Sequence, residues 1–499
     1  MGIWSRKTVE MCAQDVLRED GPRLRRSLGV IDLTSFGVGC TIGAGIFSMT
    51  GEAAAHQAGP AVALSFVLAS LVCFIAGLCY AEFAAMVPIA GSAYSYAYVT
   101  CGEIVAWIVG WCLSLEWLFA ASIVAISWSG YVTAALRDIG IQLPQAFTTS
   151  PFAVDTAGHL VATGGWIDLP AVLVIVGCTL LLLVGTNASA TVNNIIVLAK
   201  VVVLSVLVVV GARYIHSENW QPFIPPNTGR FGEFGWSGIA RAAGVLFFAY
   251  TGFDGVSTLA EEARNPQRTV PLSLFASLFI CTVLYVAVSL VITGLVSYSS
   301  LNVPDPLYYA VSVSHAPLGT VQLLVGVIAI VGLISVILTS IAGQVRIFFS
   351  MSRDGLLPER FGRVGEIRQT PYVAIMITGT VAAVTAGVVP LGLLGELVSM
   401  GTLLAFAMVC IGIIVLRRTA PGVPRPFRTP GAPFLPAVGA LSCFVLMASL
   451  PLDTWIRLVV WIGVGLIVYA GYGRRHSRLR VTSPPFTGSR SKGPSPTGP

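Results

Sequence analysis

Four ionisable residues stand where the surrounding sequence is almost wholly apolar. They are Lys200 in "NNIIVLAKVVVLS", Glu116 in "WCLSLEWLFAAS", Asp254 in "FFAYTGFDGVSTLAEE" and Glu82 in "YAEFAAM". A charge carried into hydrocarbon is expensive and marks function by default. Lys200 lies roughly 12 Å, at the helical rise, from the start of its apolar run. Removing an ammonium from water disfavours its charged form, so Lys200 is a candidate to release and take up a proton. The competing expectation is a fixed positive tether that never titrates. Glu116 is placed to hold a cationic side chain, to stabilise a pocket or to join a proton path. Asp254 is read as the cap of an interrupted helix, and Glu82 as part of an inner gate network. Glu396, near the start of a late apolar run, is equally well read as solvated.

Glycines supply the second signal. "TIGAGIF", residues 41–47, places Gly43 and Gly45 around one alanine inside an apolar run, and Gly252 and Gly255 flank Asp254 in another. Gly39 and Gly43 form a GxxxG, which suits close helix packing. The alternative is a helix broken at membrane depth, which is tolerated only where the backbone lines a cavity or is buried in protein. Two breaks in corresponding halves are the sequence sign of an inverted-repeat transporter. A half-helix amino terminus then offers N–H groups to a carboxylate. Carbonyls freed near Phe248, Ala249 and Thr251 offer acceptors to an ammonium group. Such a site is built for a zwitterion, hence an α-amino acid.

The elements that must position these groups follow from composition. The 499 residues are 55% hydrophobic and 10% charged, with a mean hydropathy of +0.82. Soluble chains carry about 25% charged residues, so an integral membrane protein is expected. A span needs about 20 apolar residues. Twelve are expected, near 32–55, 60–87, 103–134, 167–186, 191–213, 238–260, 270–297, 318–350, 371–390, 394–416, 433–451 and 454–473. Residues 1–28 lack an apolar core and a small-residue cleavage site, which argues against a cleaved signal peptide. With the amino terminus inside, inner loops and tails take 23 of the 29 basic residues, including Arg353, Arg360, Arg363, Arg368, Arg417 and Arg418. That bias sets both termini in the cytoplasm. The expected organisation is a cytoplasmic tail over 1–28, a transmembrane permease domain over 29–475 and a disordered cytoplasmic tail over 476–499.

Four stretches carry a family resemblance: "TIGAGIF", "YAEFAAMVPIAGSAYSYAY" (80–98), "FDGVSTLAEEARNPQRTVP" (253–271) and "GQVRIFFSMSRDGLLP" (343–358). Together they resemble the amino acid permeases of the amino acid–polyamine–organocation superfamily, most closely its cationic amino acid transporter branch in a shorter, bacterial 12-span form. The resemblance implies an all-α, leucine-transporter-like fold, with spans 1–5 and 6–10 as inverted repeats and spans 11–12 accessory. It implies substrate contacts at Thr41, Ile42, Gly43, Ala44 and Gly45, and at Phe248, Ala249 and Thr251. It also implies proton coupling through Lys200, which stands where sodium-coupled relatives bind an ion, and secondary active transport across the plasma membrane. Arginine, lysine or ornithine is the expected cargo; a small neutral amino acid or obligatory exchange is the alternative.

Pocket walls are expected from Trp117, Phe248 and Phe253, with Gly332, Leu333 and Ser335 of span 8 facing the substrate side chain; Gly332 would leave room for a long one. Other classes fit less well. A receptor without transport would want a signalling appendage, a channel a continuous polar lining, and an enzyme a nucleophile–base pair. No cofactor is expected. The ten cysteines include no CxxC, and His159, His216 and His315 lack metal-site spacing. The span 3–4 loop has no cysteine for a disulfide-linked partner subunit, and the basic balance of +6 needs no nucleic acid.

Overall fold

The computed structural model describes residues 4–7, 28–86, 91–154, 160–185, 190–314, 317–363, 365 and 370–481. His159, His315, Arg368 and most of both expected tails lie outside the described residues.

Apolar runs with no net polar face become helices buried on all sides or facing lipid, and twelve such spans are present among the described residues. Span 1 runs as Val30–Thr41, breaks, and resumes through Gly45–Met49, Thr50–Ala53 and Ala54–Ala58. Span 2 is Val62–Met86, span 3 Glu103–Asp138, span 4 Leu169–Val184 and span 5 Ala190–Gly211. Span 6 is Gly235–Leu246 with Phe247–Tyr250, then a break, then Gly255–Thr258. Spans 7 to 10 are Pro266–Leu295, Gly319–Arg353, Tyr372–Val388 and Leu391–Thr419. Spans 11 and 12 are Phe434–Ser449 and Leu452–Val468, the latter continuing through Tyr469–Gly473 to Arg474–His476. These limits fall within about four residues of those expected from hydropathy. Three smaller elements carried no hydropathy signal: helices Ser92–Thr100 and Pro306–Val313, and a two-stranded ribbon, Phe152–Val154 with Leu160–Ala162.

The packing has the symmetry of the repeat. Span 2 lies along span 7, span 3 along span 8 and span 4 along span 9, while the broken segments of spans 1 and 6 meet each other. Each of these spans thus packs on its counterpart five positions later. Because five is odd, the two halves enter the membrane from opposite faces.

Both faces are tied by polar contacts. On the Arg-rich face Glu82 accepts from the Arg417 guanidinium at 2.7 Å and from the Thr429 amide at 2.7 Å, with Arg425 at 3.4 Å. There too, Lys7 Nζ sits 2.5 Å from Asp354, which also accepts from the Tyr94 hydroxyl at 2.7 Å. On the opposite face Glu396 is not a solvated carboxylate. It sits 3.7 Å from both Arg241 and Arg457 and accepts from the Thr454 hydroxyl at 2.7 Å. The Glu396 side chain keeps 17% of its exposure, so the charge is paired and partly buried rather than fully hydrated. Described helical backbone continues to Val481, where Ser477 is buried against Glu103.

Candidate functional site

The interruption in span 1 begins where Ile42 leaves helical geometry, at φ −73° and ψ 85°. Span 6 is interrupted where Thr251 turns extended, at φ −61° and ψ 145°, and Gly252 takes φ +100°. That left-handed conformation favours glycine, and a β-carbon at Gly252 would also come within 2.9 Å of the Cys40 Cβ. The two breaks touch backbone to backbone. A β-carbon on Gly45 would lie 2.4 Å from the Ala249 Cα. Gly45 of "TIGAGIF" is therefore required by the close approach of the two segments, whereas a β-carbon on Gly43 would meet the Val336 side chain of span 8 at 3.2 Å.

Around the breaks lies a small cavity. Span 1 contributes Cys40, Thr41, Gly43, Ala44 and Gly45; span 3 contributes Glu116, Trp117, Ala120 and Val124. Span 6 adds Phe248, Thr251 and Gly252, and span 8 adds Val336 and Ser340. Its walls thus come from two pairs of counterpart spans. Every lining residue is buried, so the cavity lies within the helix bundle. Glu116 is 1% exposed, and neither of its carboxyl oxygens has a hydrogen-bond partner among the described residues. Trp117 stands between span 6 and span 8, its ring against Gly255 and Gly343.

Lys200 is fully buried and points at the span 1 break. Its Nζ donates to the carbonyls of Gly39 at 3.2 Å and Ile42 at 3.0 Å, and no carboxylate pairs with it among the described residues. A neutral amine keeps two N–H donors, so both bonds survive loss of a proton. Asp254 sits beside the span 6 break at the N-cap position of Gly255–Thr258, where Ser92 Oγ donates to it at 3.3 Å.

Several of the expected site residues lie outside the cavity wall or have other contacts. Phe253 does not line the cavity: it faces away and packs edge-on against Tyr80 and Phe406. Leu333 is buried outside the cavity, and Val336 and Ser340 on the following turns face it instead. The space at Gly332 is filled by the Lys200 stem, since a β-carbon there would lie 2.6 Å from the Lys200 Cε. Ile42 and Ala249 are at the breaks but not in the cavity wall. The carbonyls of span 6 are not all free. Phe248 O accepts from the Thr251 amide at 3.0 Å and the Thr251 hydroxyl at 2.8 Å. Ala249 O accepts from Tyr285 at 3.0 Å.

Tyr285 and Ser399 were not anticipated. The Tyr285 hydroxyl of span 7 reaches Thr41 O at 2.6 Å and Ala249 O at 3.0 Å, one carbonyl from each break. It has a single proton, so the two carbonyls compete for it. Ser399 of span 10 accepts from the Phe248 amide at 3.1 Å and donates to Val245 O at 2.7 Å. A tyrosine or serine within an apolar run reads as core packing, so neither offered a signal.

Two centrally broken helices around a buried cavity, in a helical membrane scaffold with five-plus-five packing, are the arrangement of a membrane transporter. The chain belongs to the amino acid permease family, whose model matches residues 28–469. It is therefore a multi-pass membrane protein of a transporter family rather than an enzyme family. It is 43% identical over 456 residues to the methylthioribose transporter of Bacillus subtilis (strain 168), covering 91% of this chain and 95% of that one. It is 41% identical over 457 residues to the branched-chain amino acid permease BcaP of the same organism, with the same coverage. It is 38% identical over 412 residues to the vacuolar cationic amino acid transporter 4 of Arabidopsis thaliana, covering 82% of this chain and 66% of that one. The crystal structure of a mutant manganese transporter from Eremococcus coleocola has the same fold. It matches with a TM-score of 0.56 at 13% identity, covering 89% of this chain and 92% of that one.

Proposed function

We propose that this protein carries cationic α-amino acids across the plasma membrane by alternating access, driven by protons, with both termini in the cytoplasm and residues 29–475 as the permease unit. The observation that carries the reading is the buried Glu116 carboxyl, which has no charged partner and no hydrogen bond of good geometry among the described residues, in the wall of the cavity. A buried carboxylate is costly unless paired, and an arginine, lysine or ornithine side chain supplies the missing cation. The substrate carboxylate would meet the amide groups at Gly43, Ala44 and Gly45, where span 1 restarts. Its ammonium would meet the Thr251 carbonyl and hydroxyl region at the end of the first half of span 6. Lys200 serves as the proton carrier, because its two hydrogen bonds to span 1 can be donated with or without its third proton. Asp254 and Glu82 act on the inner side as positioning and gating groups. No disulfide-linked partner subunit takes part.

A second reading has its own support. Ala120, Val124 and Val336 form an aliphatic wall, which suits a branched-chain side chain, and one relative is named a branched-chain amino acid permease. In that case Glu116 is held protonated. The two readings separate in proteoliposomes by uptake of labelled arginine and leucine, for wild type and Glu116→Gln. Loss of arginine uptake with Glu116→Gln supports the cationic reading. Leucine uptake that survives the substitution, with no arginine uptake in wild type, overturns it.

A further inference from the structure

Spans 4 and 9 pack on each other and are short. Leu169–Val184 has 16 residues and Tyr372–Val388 has 17. At the helical rise they reach about 24 Å and about 26 Å, against roughly 30 Å of hydrocarbon. The loop between spans 3 and 4 sits over their ends on the face opposite the Arg-rich loops. It is fastened there by the Asp168 amide donating to Gly387 O at 3.0 Å.

That loop has the wrong chemistry for water. Residues 139–154 and 160–167 contain no Asp, Glu, Lys, Arg or His; Asp155 and His159 fall in the sequence between them. By contrast the span 5–6 loop on the same face carries Arg213, Glu218, Arg230 and Glu233. The ribbon pairs Phe152 with Ala162, Ala153 with Val161 and Val154 with Leu160. Side chains alternate along a strand, so Phe152 and Leu160 share one face and Val161 takes the other. All three are exposed, Leu160 by 57%. A lone two-stranded ribbon with apolar residues on both faces is marginal in water. Trp166 is 72% exposed and stands edge-on to Phe147 at 5.7 Å. An amphipathic aromatic of this kind belongs at headgroup level. The patch is continuous with the lipid-facing Leu169 and Leu173 of span 4, both exposed.

We propose that the described part of the span 3–4 loop, residues 139–154 and 160–167, is a lipid-binding surface. It lies in the interfacial layer of the outer leaflet and makes up the length that spans 4 and 9 lack. Its partner is phospholipid, the acyl–headgroup boundary taking Phe152, Leu160 and Val161, and Trp166 marking the interface. The ribbon is thereby a float over the ends of spans 4 and 9, rather than an aqueous loop.

The test places a nitroxide at Val161→Cys, and at Thr228→Cys in the span 5–6 loop as an aqueous reference. The full chain is reconstituted in phosphatidylcholine–phosphatidylglycerol vesicles, with the signal of labelled wild type subtracted. Oxygen and a water-soluble nickel chelate are the collision probes. The expected result is a several-fold excess of oxygen over nickel accessibility at 161 relative to 228. Equal nickel accessibility at both sites overturns the proposal. So does spin–spin broadening at 161 that disappears on dilution with unlabelled protein, which would assign the patch to a second copy. If Val161→Cys fails to fold, quenching by brominated phospholipid of the difference between wild type and Trp166→Phe decides. Trp166 emission quenched by bromines near the headgroup supports the surface, and emission untouched by them overturns it.

Discussion

Replacing Lys200 by glutamine tests the coupling reading at its most exposed point. The change keeps a neutral N–H donor near the Gly39 and Ile42 carbonyls, which lie 3.2 and 3.0 Å from Nζ, and removes the exchangeable proton. One lysine moving one proton per substrate sets the size of the effect. A tenfold proton gradient is worth about 1.4 kcal/mol, hence about tenfold accumulation at one-to-one stoichiometry. Proteoliposomes with a pH step of about one unit, acidic outside, and the membrane potential clamped should therefore concentrate labelled substrate about tenfold with wild type. Lys200→Gln should only equilibrate it, while still exchanging internal for external substrate. A companion Lys200→Met removes every donor and leaves two buried carbonyls without partners, at about 1–3 kcal/mol each. It should weaken binding and lower the melting temperature as well. Tenfold accumulation by Lys200→Gln refutes the argument, and wild type that exchanges but never accumulates shows Lys200 to be a brace only.

Tyr285→Phe removes the one hydroxyl, among the described residues, that reaches both breaks. One orphaned carbonyl costs about 1–3 kcal/mol, so substrate affinity should fall about tenfold in an equilibrium binding assay while expression is unchanged. Gly45→Ala drives a methyl group to within 2.4 Å of the Ala249 backbone; binding should be abolished in protein that still elutes as a single species, whereas Gly177→Ala, with open space around it, should behave as wild type. In the span 7–8 loop, burial pushes the Asp305 carboxyl up from 3.8 to about 6. A carboxyl raised on folding favours the folded state only while it is protonated, and that contribution is lost as pH rises through about 6. Asp305→Asn should therefore raise the melting temperature over wild type at neutral pH and above, and the gain should shrink as the pH is lowered below that value; an identical difference on both sides contradicts it.

Much of the site was legible because it breaks local rules. Gly43, Gly45 and Gly252 violate helix propensity in the middle of apolar runs, and Lys200 and Glu116 violate hydropathy; the structure brings four of them to the cavity wall and sets Lys200 against the span 1 break. What stayed hidden obeys the rules. Tyr285 and Ser399 look like ordinary span residues, and only the fold places their hydroxyls at the breaks. Rotation about a helix explains the rest. Each residue turns about 100°, so Leu333 and Val336 cannot be separated without knowing which face of span 8 meets span 1. Phe253 follows Gly252, whose positive φ sends the chain in a direction that no hydrophobic pattern encodes. The ribbon in the span 3–4 loop is too short for a period to emerge.

The bare contact of Gly45 with Ala249 separates two tasks within one cavity. In the function proposed above, main-chain groups of spans 1 and 6 address what all amino acids share, and the side chains of spans 3 and 8, Ala120, Val124, Val336 and Ser340, which line the cavity, address what differs between them. The first set tolerates almost no substitution, because its glycines hold the crossing. The second set is free to drift. A lineage built on this crossing can change its cargo by exchanging a few side chains on rigid helices and leave the machinery of movement untouched.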